Sequence, residues 1–64
     1  MIEIMYENGN VDTFEIYNES NNHIIWTDYA HNLIRINKYT NRLTLFYEGE
    51  WIEHDLKIKS YKKI

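Results

Sequence analysis

Apolar side chains recur at every second position in six short stretches of this chain, and clusters of Asn, Asp, Glu, Gly and Ser separate them. The stretches span residues 2–7, 11–17, 23–27, 33–37, 42–47 and 51–60. In an extended strand alternate side chains share a face, so this period predicts strands with one apolar side. No proline interrupts any stretch, which leaves each free to lie inside a sheet. The fold class is therefore all-β: a single small antiparallel meander of about five to six strands, because sequential strands joined by short loops usually pair as neighbours. Residues 1–64 contain no linker, low-complexity segment or repeat, and read as one β domain.

Parity sharpens the first return. Ile2 and Ile4 share a face with Phe14 and Ile16 only if the loop at Glu7-Asn8-Gly9-Asn10 has an odd number of residues. The prediction is a three-residue loop, a type I turn with Gly9 left-handed as a G1 bulge, rather than a two-residue type I′ turn. Residues 18–22 form a polar connection. Residues 28–32 break the alternation again, as a loop or a single helical turn capped by Thr27 or Asp28. Turns are also expected at Lys38-Tyr39-Thr40-Asn41 and Glu48-Gly49-Glu50.

Taking the better apolar face of each strand gives the expected core: Ile2, Ile4, Phe14, Ile16, Ile24, Trp26, Ile34, Ile36, Leu43, Leu45, Ile52, Leu56 and Ile58. Left over on the opposite faces are Met5, Val11, Tyr17, Ile25, Leu33, Phe46 and Trp51. A chain of 64 residues buries only about 60% of its unfolded surface, so its core is thin. A flat six-stranded meander would be too exposed to stand alone. The sheet is expected to curl into a small barrel or sandwich, or to pack face to face as a homodimer. Without cysteine there is no disulfide to staple it, which leaves association as the remaining device.

Net charge is −3, where a general nucleic-acid binder is normally basic. No basic leader or long apolar run precedes the first strand, and a cytoplasmic setting, bacterial or host, is expected. Asn18-Glu19-Ser20 matches a glycosylation acceptor, which carries no weight without a secretory signal. Glu53-His54-Asp55 looks catalytic as text. In a strand, however, successive side chains face opposite ways, so neither carboxylate can hold His54. His54 instead reads as a partly buried or edge histidine in line with Ile52 and Leu56. His23, His31 and His54 lie in three separate elements without metal-ligand spacing, and Gly9 and Gly49 are isolated in turns. No enzyme, metal or cofactor is expected.

Three surfaces remain as candidates. Tyr47-Glu48-Gly49-Glu50-Trp51-Ile52-Glu53 is a turn with carboxylates around an indole. Phe46, Glu48, Glu50, Trp51 and Glu53 are its candidate partner-binding residues, since a Trp anchor with an acidic rim suits a basic protein surface. The structural alternative is a solvated turn whose Trp folds back onto its own hairpin. Arg35, Lys38, Tyr39 and Arg42 lie around one hairpin and are the candidate nucleic-acid contacts, because small β-barrels stack single-stranded bases on aromatics beside a basic groove. Tyr29, His31 and Asn32 are the candidate lining of a ligand pocket between subunits.

In size and style the chain is similar to the small inhibitors that phages and other mobile elements deploy against host defence systems, anti-CRISPR proteins among them. That similarity implies a rigid scaffold with a docking patch and no active site. The leading expectation is a non-enzymatic protein-binding module with a protein target. The alternatives are a small barrel that binds single-stranded nucleic acid and an oligomeric sponge for a small nucleotide.

Overall fold

A computed structural model describes all of residues 1–64. The chain is all-β, with eight strands: β1 (Ile2–Tyr6), β2 (Val11–Phe14), β3 (Ile16–Glu19), β4 (His23–Thr27), β5 (Leu33–Asn37), β6 (Leu43–Tyr47), β7 (Glu50–Glu53) and β8 (Ile58–Lys63). They form two antiparallel sheets, one of three strands in the order β2-β1-β8 and one of five in the order β3-β4-β5-β6-β7. The five-stranded sheet is the expected meander, but the whole chain is neither one meander nor a closed barrel.

Two predicted strands are each divided. The stretch over residues 11–17 breaks at Glu15, so that β2 pairs with β1 while β3 pairs with β4. Phe14 and Ile16 keep the same parity across the break, and both touch the core, so the hydrophobic period carries no trace of the change of sheet. The stretch over residues 51–60 breaks at residues 54–57, and β8 turns back to lie beside β1, with Ile4 opposite Tyr61. Ile52 and Leu56, expected inside, are 40% and 44% exposed as a result. Ile16, Leu45 and Ile58 are only partly buried against the core.

Local turn chemistry follows the residues. The Gly9 amide donates to the Tyr6 carbonyl (3.0 Å) and the Tyr6 amide to the Asn10 carbonyl (2.9 Å). With Gly9 at φ 90°, this is the expected three-residue loop with its bulge glycine. Residues 28–32 form a loop and not a helical turn. The Asp28 carboxylate accepts from the Ala30 and Asn32 amides (2.9 Å each), and His31 takes the left-handed position at φ 63°. Asn37 holds the next return through the Tyr39 and Thr40 amides. Between β6 and β7, Glu48 and Gly49 sit at φ 49° and 82° between the paired residues Tyr47 and Glu50. Positive φ at both central residues defines a two-residue type I′ turn.

The buried core is Ile2, Ile4 and Phe14 from the three-stranded sheet with Ile24, Trp26, Ile34, Ile36 and Leu43 from the other. It contains no buried polar or charged residue. Phe14 stacks on Trp26 with ring centroids 6.0 Å apart, joining the two sheets. Five strands, β1, β2, β4, β5 and β6, supply these buried side chains, each from one face only.

Candidate interaction surface

The seven leftover apolar residues do not form one patch. Met5 opposes Val11 across β1 and β2, on the outside of the three-stranded sheet. Ile25, Leu33, Phe46 and Trp51 share the outer face of the five-stranded sheet, because residues directly opposed in an antiparallel ladder point the same way. Tyr17 lies at a bulge between Ile16 and Asn18 and is exposed. None of the seven is buried within the chain.

Of the expected docking residues, Phe46 and Trp51 are brought into contact. They oppose each other across β6 and β7, with ring centroids 5.2 Å apart in an edge-to-face arrangement. The Arg35 guanidinium lies over the Trp51 ring at 4.3 Å, and its Nε donates to Thr44 Oγ1 (3.1 Å). Trp51 therefore folds back onto its own sheet and is half-buried, while Phe46 remains 40% exposed. Glu48 occupies the turn. Glu50 opposes Tyr47 on the reverse face, and Glu53 lies 3.7 Å from Arg42 Nη1.

The reverse face of this hairpin is also apolar. Leu45 opposes Ile52 there, and Tyr47 beside them is 58% exposed. The hairpin thus presents aromatic or aliphatic side chains on both sides. Sequence reasoning missed Ile52 and Tyr47 because alternation assigns Ile52 to a core that does not extend so far. The signal available was the acidic turn itself, which marks the solvent end of the hairpin.

The four residues of the basic cluster do not share one groove, since Lys38 and Tyr39 stand apart from Arg35 and Arg42. Arg35 lies on Trp51, Lys38 Nζ meets Glu19 Oε2 at 2.7 Å, and Arg42 faces Glu53. Tyr39 is exposed at the turn and stacks on no other ring. Each cation already has an anionic or aromatic neighbour. Tyr29 tilts against Phe14 with centroids 5.2 Å apart, and its loop partners His31 and Asn32 serve the turn. Asn32 in particular is held by the Asp28 carboxylate through both its backbone and its side-chain amide.

His54 lies in the crossover between β7 and β8 rather than in a strand. Its Nδ1 accepts from the Leu56 amide (3.0 Å), and its own amide donates to the Leu43 carbonyl (3.1 Å). The three histidines stay in separate elements, and no group of three or more His, Cys, Asp or Glu side chains is placed to hold a metal ion. Where the sheets part, a cleft of about 290 Å³ has Trp26, Phe14 and Ile34 as its floor and Tyr6, Asp12 and Tyr29 at its rim. Burial and the hydrogen bond to Asp12 push the Tyr6 hydroxyl up to about 12.

No family model matches the chain, and comparison with curated proteins and with solved structures finds no match either. No helix is long and apolar enough to cross a membrane.

Proposed function

We propose that the protein is a non-enzymatic binding module that docks its β6–β7 hairpin onto a partner protein. It acts by occupying that surface, as an inhibitor of the type mobile elements direct at host defence proteins in the cytoplasm. The observation that carries this reading is the hairpin's composition on both faces. Phe46 and Trp51 lie on one side and Leu45, Ile52 and Tyr47 on the other. β7 is also the terminal strand of its sheet, so one side of its backbone has no neighbouring strand. Clustered exposed aromatics on a soluble chain favour an interaction site, and Tyr and Trp supply contact area with few rotors to freeze.

Charge selects the partner. Glu48 and Glu50 flank the tip and Glu53 follows, so a basic surface is complementary and steers association. A second copy docked through the same hairpin would set these carboxylates against each other, which makes it the poorer fit. The test is affinity isolation from a candidate host with the intact chain and with a Glu48→Lys, Glu50→Lys variant. These exposed positions leave the core untouched. A stoichiometric protein captured by the intact chain and lost by the charge-reversed one supports the proposal. Recovery of no stoichiometric protein, or equal capture by both chains, overturns it.

A further inference from the structure

The outer face of the five-stranded sheet carries a second feature, at the end remote from the β6–β7 turn. A depression of about 460 Å³ is lined by His23, Arg35, Asn37, Thr40, Arg42 and Thr44. Register brings them together: His23 opposes Asn37, the Asn37 amide donates to the Arg42 carbonyl, and Arg35 opposes Thr44. No carboxylate and no apolar side chain lines it. In a chain of net charge −3, that local balance is the reverse of the whole.

The hydrogen bonds leave several donors on these residues without a hydrogen-bond partner. Arg35 uses Nε on Thr44 Oγ1, which leaves its two terminal nitrogens. Asn37 Oδ1 accepts from the Tyr39 and Thr40 amides, so its Nδ2 group is the free end. Thr40 Oγ1 accepts from the Arg42 amide (3.3 Å) and keeps its hydroxyl proton to donate. Arg42 Nη1 is 3.7 Å from Glu53 Oε1 with both side chains exposed, a loose pair that an incoming anion can displace. Arg35 is held in advance by the Trp51 ring and by Thr44, so less freedom is lost when it binds a ligand.

We propose that this depression is a binding site for a phosphate-class oxyanion, held between the Arg35 and Arg42 guanidinium groups with the Asn37 side-chain amide and the Thr40 hydroxyl as further donors. Planar guanidinium forks match phosphate geometry and make charge-assisted bonds. Beside them, burial first and the Arg35 charge second hold the His23 imidazole below the usual histidine range. The site does not rest on the docking reading, since Glu48 and Glu50 take no part in it.

The experiment is a titration of the intact chain with inorganic phosphate at constant ionic strength, followed by backbone and arginine side-chain NMR. A saturable shift confined to residues 23, 35, 37, 40, 42 and 44 is the expected result. Arg42→Gln, at an exposed position, should weaken binding by about tenfold, the ratio one charge-assisted contact carries. Glu53→Gln should tighten it, by removing the competing carboxylate. A non-saturating drift, shifts spread over other faces, or equal affinity in the Arg42→Gln variant overturns the site. Glu48→Lys with Glu50→Lys should leave the titration unchanged whichever way the docking test falls.

Discussion

Glu48 holds a φ of 49° in the type I′ turn, where an L side chain crowds its own backbone and Asn is better tolerated. Glu48→Asn is therefore expected to stabilise the fold by about 1 kcal/mol, read as a higher urea midpoint at unchanged slope. Tyr6 makes a pH prediction. Its hydroxyl is raised from 10.0 to about 12 by burial and by its bond to Asp12, so the folded chain favours the protonated phenol. A raised folded pKa gives stability that is complete below pH 10 and lost as pH climbs toward 12. Tyr6→Phe should be less stable at neutral pH and decline less steeply across that window. Tyrosinate absorbance should show a late-titrating phenol that the Tyr6→Phe variant lacks. Gly9 as the bulge residue was legible in the sequence, because parity demanded an odd loop and glycine alone takes φ 90° without strain. The left-handed His31 was not, since the loop there is held by Asp28 rather than by a turn dipeptide.

Among the elements, the β6–β7 hairpin carries the Phe46–Trp51 pair with the Arg35 guanidinium over the indole. A double-mutant cycle on Phe46→Leu and Trp51→Leu should return a coupling of about 0.5–1.5 kcal/mol by denaturant unfolding, the range for edge-to-face rings. A coupling near zero would mean that the rings pack independently. The hairpin was readable as an element, with its turn and acidic rim. Its two-sided character was not, because alternation cannot say where along a strand the opposing layer ends. The crossover at residues 54–57 was read as continuous strand for the same reason. Ile52, Leu56 and Ile58 keep an even spacing whether the chain runs straight or bends away.

At the scale of the molecule, Glu19 ties the two sheets together. It stands opposite Ile24 in the five-stranded sheet, while Lys63 stands opposite Ile2 in the three-stranded one, and the pair meets at 3.0 Å at the margin of the core. Lys38 joins from the β5–β6 turn at 2.7 Å. The hydrogen bonds from Lys38 and then Lys63 hold the Glu19 carboxyl below its ordinary 4.5. A lowered folded pKa gives stability that is fully present above 4.5 and lost as pH falls through the lower folded value. Glu19→Gln is expected to flatten the acid limb of the stability profile below pH 4.5, measured by urea unfolding at stepped pH, and to leave the alkaline limb unchanged. A parallel loss at every pH would show that the clamp does not act through this carboxylate.

The all-β character, the inward face of most strands and the length of the first loop were determined by the sequence, because alternation and turn residues act over a few positions. Tertiary structure alone decided that the chain changes sheet at Glu15, that β8 closes on β1, and that the apolar period at Ile52 and Leu56 ends in solvent. These depend on which apolar faces meet across the whole chain. A bend that preserves parity leaves the local pattern unaltered, so only the packing of one sheet on the other distinguishes it.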